Sequence, residues 1–461
     1  MKIGLFLQDT TLTKKKKDKI FYETLNLARE NNLDLLVFPE HFYCPEDEKL
    51  DEYAFLSHAY EENSEECDRD KIIDIFRNYA KIANCPILAS RADKYNFIYA
   101  LYVSPFEENI KLYGKHIATN YSVFDLADYE ESVEEIFMPI DYKGYKIGVT
   151  ICYDSNKPLF SRFYKAYGDI DILINLTGGH VDYKKWSIYQ KARALENKCY
   201  NLCTMAYYDE EKRNKSYVFA FDGFGKKLSY KILNKRISSD YNNDMPNGLY
   251  MFEVDKKSNT FEKFKLDKAE DDEFLDSNSS INKKIDINLS KTDILKLLNN
   301  KNKIDNCLYL VKKDNHNLIL LDLKEHMVEE PILIESLMYS KKLKGISNKK
   351  YIIINRWDKL DEDYYKKKLS TILKARAAEN FCIVILMSDI KDECIQVGLN
   401  KNIQIVKCVA GKYGLDLSRS TGPESFWKND VIKGIKKCWR EKYEFLIDYL
   451  RDNKKQTIKI R

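Results

Sequence analysis

A chain of 461 residues is longer than a single hydrophobic core usually grows, so two domains are expected. Its 44% hydrophobic and 13% aromatic content excludes a disordered chain. With 76 basic against 72 acidic residues the formal charge is only +4, which gives no reason to expect nucleic acid or an anionic membrane as a partner. Runs such as Lys14-Lys15-Lys16-Lys17 are therefore read as solvated faces. The chain enters Ile3-Gly4-Leu5-Phe6-Leu7 directly, too short for a signal-peptide core, and no apolar run approaches the length of a membrane span. A soluble, cytoplasmic protein is the expectation.

Over residues 1–254 short apolar runs alternate with longer amphipathic ones. Strands are predicted at 2–7, 33–38, 86–89, 97–103, 146–151, 171–176, 199–206 and 217–221, and helices at 18–30, 72–82, 158–167 and 183–198. This mixture favours an α/β sandwich built around β-sheet. Pro39 predicts an abrupt stop for the strand ending at Phe38, since proline donates nothing to a sheet ladder. Residues 255–306 are dominated by Lys, Asp, Glu, Asn and Ser and read as a charged linker or excursion, with a short helix near 294–298. Residues 307–461 read as a second, smaller α/β domain, with strands at 308–311, 318–321, 351–354 and 383–387. A helix at 428–453 carries an apolar stripe of Val431, Ile432, Ile435, Trp439, Phe445, Leu446 and Tyr449, of the kind that usually faces a core.

The second half echoes the first. Asp171-Ile172-Leu173-Ile174-Asn175 is matched by Tyr351-Ile352-Ile353-Ile354-Asn355. Further on, Lys191-Ala192-Arg193-Ala194-Leu195-Glu196-Asn197-Lys198-Cys199 is matched by Lys374-Ala375-Arg376-Ala377-Ala378-Glu379-Asn380-Phe381-Cys382. An ordered pair of such elements points to a degenerate internal duplication. Counting back from Asn355 by the interval between Cys152 and Asn175 lands in 330–333, which holds no cysteine. The second domain is thus expected to lack a nucleophile.

The eleven cysteines are scattered and show no Cys-x-x-Cys, and the six histidines show no paired spacing, so no metal site is expected. Nor is there a glycine-rich phosphate loop, and no cofactor is expected. One thiol stands out. Cys152 ends the apolar run Lys146–Ile151 in the sequence, as Glu40 ends Leu35-Leu36-Val37-Phe38-Pro39 and Lys115 follows Tyr113-Gly114. A thiolate attacking an amide carbon needs a proton acceptor, a charge to stabilise the developing anion and a proton donor for the departing nitrogen. A partly desolvated Glu40, its pKa raised toward neutrality, suits the proton transfers. Lys115 suits the anion, and backbone N–H groups after Cys152, Tyr153 first, suit the oxygen. Gly178-Gly179-His180 follows a predicted strand and reads either as part of the pocket mouth or as a turn with a solvent-facing histidine. Arg193 and Glu196 read as a structural ion pair on one helix face.

Phe38-Pro39-Glu40, Gly114-Lys115-His116 and Ile151-Cys152-Tyr153-Asp154 resemble the three signatures of the nitrilase (carbon–nitrogen hydrolase) superfamily. Arg193-Ala194-Leu195-Glu196-Asn197 resembles its later helix motif. The resemblance runs from Ile3 to about Gly225. It implies a four-layer α-β-β-α sandwich, a Glu40–Lys115–Cys152 triad with a cysteine thioester intermediate, and association into dimers, for which a pseudo-dimer with the second domain would be an alternative. Ile-Cys-Tyr-Asp is more similar to amidase-type branches, which cleave amides and carbamoyl groups. Asn120-Tyr121-Ser122-Val123-Phe124-Asp125 is similar to the glutaminase domain of glutamine-dependent NAD synthetases, which implies a carboxamide substrate. Leu126 stands where that family has an acidic residue, and the further acid near the lysine falls on Asp125, Asp128 or Glu130. Tyr153, Asp125 and His180 are the candidate substrate contacts. The function expected is hydrolysis of a non-peptide C–N bond; the alternative is a nitrilase-fold scaffold or regulatory subunit, with a protein partner reached through the C-terminal domain.

Overall fold

The computed structural model describes residues 1–10, 12–46, 69–93, 97–108, 110–117, 126–178, 181, 183–207, 217–236, 247–256, 286–313, 315–397, 403–408, 411–420, 422–423 and 436–452. Two compact units result: Met1–Phe261 with Lys437–Lys442, and Glu262–Lys436 with Tyr443–Arg461.

In the first unit β1 (Lys2–Asp9) is the hub. Its body lies between β2 (Leu35–Glu40), which runs parallel to it, and β12 (Asn247–Glu253), which runs antiparallel. Beyond β2 follow β3 (Ile87–Ala92), β4 (Ile98–Val103) and β5 (Ile110–Gly114); beyond β12 lies β11 (Tyr230–Arg236). The last residues of β1, Gln8 and Asp9, pair instead with Ala206 and Tyr207 of β9 (Tyr200–Tyr207). That strand belongs to a second sheet ordered β6 (Ile140–Tyr142), β7 (Tyr145–Ile151), β8 (Ile172–Thr177), β9 and β10 (Phe219–Phe221). The sheets stack, with β2 against β8 and β9 and with β4 and β5 against β7.

Helices α1 (Lys14–Glu30) and α2 (Arg69–Ala83) cover the first sheet. In α1, Ile20, Phe21, Thr24, Leu25 and Ala28 form one buried face, as a 3.6-residue period requires, while the lysines from 14 to 16 stay exposed. Phe21 stacks on Phe38 of β2 at 5.4 Å between ring centroids, and burying a ring of that size contributes roughly 1.5–3 kcal/mol. After α3 (Leu126–Ile136), α4 (Pro158–Gly168) and α5 (Tyr183–Asn197) cover the second sheet. Pro158 opens α4 at a position where a missing N–H is harmless. Gly148 of β7 lies under Tyr164 of α4, where an added Cβ would come within 2.8 Å of the ring, so the close helix–sheet approach depends on glycine there. The result is the expected four-layer α-β-β-α sandwich.

The predicted strands and helices of this unit all appear, with one instructive difference. β2 does not stop at Phe38: it continues to Glu40, with its register against β3 shifting between Val37↔Leu88 and Glu40↔Ser90. Pro39 sits in the resulting bulge, where its absent N–H costs no ladder bond, and the bulge carries the carboxylate one step farther along the strand.

The second unit is built on a seven-stranded mixed sheet ordered β14 (Lys303–Asp305), β15 (Leu308–Lys313), β16 (His316–Lys324), β17 (Lys349–Arg356), β18 (Ile383–Met387), β19 (Glu393–Val397) and β20 (Ile403–Lys407). β16, β17 and β18 run parallel. A two-stranded ribbon, β13 (Ile287–Ser290) with β21 (Lys412–Leu415), joins the same core. The short helix expected near 294–298 is α6 (Lys291–Leu297), started by a capping box in which Ser290 Oγ accepts from the Asp293 N–H and the Asp293 carboxylate accepts from the Ser290 N–H. Residues 257–285 of the proposed linker lie outside the described residues. Residues 330–333, reached by counting back from Asn355, are not a strand end: they open α7 (Pro331–Met338). The count misses because residues 339–348 connect α7 to β17, a longer link than residues 169–171 between α4 and β8. Of the C-terminal helix, α9 (Lys436–Asp452) is described; Leu446 is buried and the ring of Tyr443 meets Tyr339 at 5.6 Å, whereas Val431, Ile432 and Ile435 lie outside the described residues, as does the Trp439 side chain. α8 (Ser370–Asn380) carries the Arg376 motif.

Candidate active site

Four strand ends meet in the first unit. β2 ends on Glu40, β5 leads into Lys115, β7 leads into Cys152 and β8 leads into Gly178. The first two come from one sheet and the last two from the other, so stacking the sheets is what gathers them. Glu40, Lys115 and Cys152 are at most 5% exposed.

Lys115 Nζ donates to Glu40 Oε1 at 2.6 Å, and the Gly178 N–H donates to Glu40 Oε2 at 2.9 Å. The Glu40 carboxylate, the Lys115 charge and the Gly178 N–H all act on the Cys152 thiol. Burial works against the Glu40 charge, but Lys115, the neighbouring His41 and these hydrogen bonds outweigh it and hold Glu40 below the ordinary glutamate range. That reverses the expectation of a raised value, because the desolvated carboxylate has a cation in direct contact. Burial likewise disfavours the Lys115 ammonium, and the Glu40 charge with its hydrogen bond overrides it, so Lys115 stays firmly protonated. Cys152 is pushed well above an ordinary thiol, first by burial and then by the Glu40 charge. The resting group is thus a neutral thiol facing an ionised carboxylate. Gly178 is required: a Cβ there would stand 2.9 Å from Glu40 Oε2.

The turn that presents the thiol is strained. Cys152 has a left-handed backbone, φ 45°, and opens the short helical turn Cys152–Asn156. Such a conformation costs a non-glycine residue about 1–3 kcal/mol and needs a surrounding scaffold to hold it. Asn175 Nδ2 donates to the Cys152 carbonyl at 3.4 Å, Arg193 Nε donates to the Ser155 carbonyl at 3.1 Å and Gln190 Nε2 donates to Ser155 Oγ at 3.3 Å. Arg193 does pair with Glu196, both side chains fully buried, yet its further contact makes it a support of the thiol turn as well as a structural ion pair. Asp154 is the second support. Its carboxylate accepts from the N–H groups of Ile151 (3.1 Å), Ile117 (2.9 Å) and His116 (3.4 Å), tying the segment that bears Lys115 to the turn that bears Cys152. Burial pushes Asp154 up to about 7 against the pull of Lys115 and those hydrogen bonds.

His116 is packed between Phe137 and Phe160 with its Nδ1 against the Tyr129 hydroxyl, and burial pulls it down to about 3, so it is a neutral packing residue. Tyr153 follows the thiol but turns toward Trp186, 6.2 Å between ring centroids, and is 37% exposed. Asp125 and His180 lie outside the described residues. So does the side chain of Asp128, while Glu130 is exposed. Asn175 and Gln190 escaped the sequence reading of the site, Gly178 entered it only in the pocket-mouth alternative and Asp154 only as part of a motif. The signal of Asn175 was a polar residue within an apolar strand and that of Gln190 a polar residue within a helix, both informative only once the neighbouring strand ends are known. Among the described residues no group of three His, Cys, Asp or Glu side chains is arranged to hold a metal ion, and no helix is long and apolar enough to cross a membrane.

Parts of the chain are similar to known proteins. Residues 13–224 match the carbon-nitrogen hydrolase family. The chain is 32% identical over 174 residues to the glutamine-dependent NAD(+) synthetase of Aquifex aeolicus (strain VF5), covering 36% of this chain and 28% of that protein. Against the enzyme of the same name from Thermotoga maritima it is 32% identical over 159 residues, covering 34% of this chain and 26% of that protein. The chain thus spans well under half the length of both relatives. The NitN amidase from Neterenkonia sp. AN1 is similar in structure at a TM-score of 0.40 and 17% identity, covering 56% of this chain and 94% of that one. Over residues 13–224, a little under half of its length, the chain is thus similar to the carbon–nitrogen hydrolase family.

Proposed function

We propose that the first unit is an amidase that cleaves a carboxamide through a thioester on Cys152. The observation that carries this reading is the convergence of a thiol, an ionised carboxylate and an ammonium group, all buried, with Lys115 and Glu40 2.6 Å apart. Glu40 takes the thiol proton as Sγ attacks the amide carbon, and the carbonyl electron pair moves onto oxygen. Lys115 lies close enough to neutralise that oxygen without reorganising, which is where fixed charges are most effective. As the C–N bond breaks, Glu40 returns the proton to the nitrogen, which leaves as ammonia or an amine. Water then attacks the thioester with Glu40 again accepting a proton, releasing the acid and the thiol. A resting neutral thiol suits this scheme, because the proton is transferred only when the substrate carbon is present to accept the sulfur electrons.

The match to glutamine-dependent synthetases favours a glutamine-like carboxamide as the first substrate to try. Cys152 must remain a reduced thiol, a condition that a reducing cytoplasm meets. The test is ammonia release from glutamine, asparagine and carbamoyl compounds, with acid-quenched mass spectrometry of the chain. Ammonia together with an acyl adduct on Cys152 supports the reading; neither, across the whole panel, rejects it and leaves the scaffold alternative.

A further inference from the structure

We propose that the second unit is an inert copy of the half of the first unit that bears Cys152, with Glu325 occupying the position of the thiol; only its confinement of chemistry to Cys152 rests on the amidase reading.

The elements follow one order in both units. A hairpin (β6–β7, β15–β16) leads into a short helical turn (Cys152–Asn156, Glu325–Glu329), then a helix opened by proline (α4, α7). A parallel strand follows (β8, β17), then a helix (α5, α8), a second parallel strand (β9, β18) and an antiparallel neighbour (β10, β19). The register agrees as well. Thr150 pairs with Asn175 and Leu323 with Asn355, so Cys152 and Glu325 each lie two residues beyond the partner of the matching asparagine. Pro158 and Pro331 follow them at equal spacing.

The turn itself is the decisive feature. Glu325 has the same left-handed backbone as Cys152, φ 45° in both, an unusual conformation for either residue type. Two of its supports are the same. Asn355 Nδ2 donates to the Glu325 carbonyl at 2.9 Å, as Asn175 does to Cys152, and Arg376 Nε donates to the Val328 carbonyl at 3.1 Å, as Arg193 does to Ser155. Arg376 pairs with a fully buried Glu379 as Arg193 does with Glu196, and Asn380 and Asn197 each bond back to their arginine's carbonyl. A buried Arg–Glu pair recurs in many helices. Its reach to the carbonyl three residues beyond a left-handed residue on a neighbouring element does not follow from helix chemistry.

The catalytic surroundings are what differ. In the first unit the sheet face opposite Asn175 meets the sheet that brings Glu40 and Lys115. In the second unit the face opposite Asn355, with Leu320, Ile352 and Ile354, closes against Leu289, Tyr413 and Leu415 of the β13–β21 ribbon. Replacing a sheet by a ribbon removes the strands that carried the acid and the lysine, and a carboxylate at 325 cannot form a thioester.

Two arms test this on the full-length chain. First, hydrogen exchange of peptides spanning residues 320–340 is compared in urea for Glu325→Gly and Glu325→Val. If 325 is a left-handed turn, glycine raises or preserves the urea midpoint of local opening and valine lowers it; the opposite order overturns the copy. Second, Cys152→Ala is assayed with the amide panel. Complete loss of ammonia release and acylation is expected, and residual turnover or an adduct in the second unit overturns its inertness. A wild-type chain that turns over no amide would sink the amidase reading alone, while the glycine–valine pair would still decide the copy.

Discussion

The turns at Cys152 and Glu325 share a left-handed backbone and its asparagine and arginine supports, yet only one faces an acid and a lysine. Asn, Arg and Glu side chains on the following strand and helix hold both in the left-handed conformation. Those groups therefore serve the scaffold, and the acid and the lysine beside Cys152 come from the sheet stacked opposite. A strained turn is necessary for presenting a nucleophile and insufficient for making one.

Breaking the comparison at its chemical end has the largest expected effect. Cys152→Ala should lower ammonia release by ~10⁴-fold or more, whereas Glu325→Ala should leave the rate unchanged; comparable losses from both would put chemistry in both units. Removing the opposing charge comes next. Lys115→Met should cost ~10²–10³ in kcat and about 3–5 kcal/mol of stability, because Glu40 is left charged and buried. Pairing it with Glu40→Gln should restore much of the stability and none of the activity, as read by urea unfolding beside the ammonia assay. Gly178→Ala should reduce kcat/KM by ~10²-fold, since its Cβ displaces the Glu40 carboxylate while the unit stays folded by circular dichroism.

Breaking the shared supports should hurt each unit separately. Arg193→Met and Arg376→Met each strand a buried glutamate and should lose about 3–5 kcal/mol of local protection in hydrogen exchange. Only Arg193→Met should also lower the rate; equal losses of activity would mean the second turn contributes to turnover.

The smallest effect is a pH slope. Asp154 in the fold titrates near 7, above its ordinary 3.8, so between those values the native state holds a proton that the unfolded chain has released. Its contribution to stability is fully present below about pH 4 and fades as pH rises through 7, by at most ~1.4 kcal/mol per pH unit. Asp154→Asn should abolish that slope, and a slope unchanged in the variant would show that Asp154 is ionised throughout.

Much of the first unit was legible because its strands are short apolar runs bounded by turn residues and its helices have a single apolar face. Pro39 misled because a proline inside a bulge gives up no ladder bond. The interval from Asn355 misled because loop length is free to drift while strand register is not, and Glu325 gives no sign in the sequence that it occupies a nucleophile's place. Asp154 looked like part of a motif, and its role in joining two loops is invisible without the loops.

By itself the sequence determined which strands and helices form in the first unit and singled out Glu40, Lys115 and Cys152 as candidates, since both follow from local pattern and residue chemistry. Only the tertiary structure decided that Glu40 is held ionised by Lys115, that Gly178 and Asp154 complete the site, and that Glu325 stands where a thiol stands in the first unit. Charge states and equivalences of position depend on distances between segments far apart in the chain, and those distances exist only once the sheets have stacked.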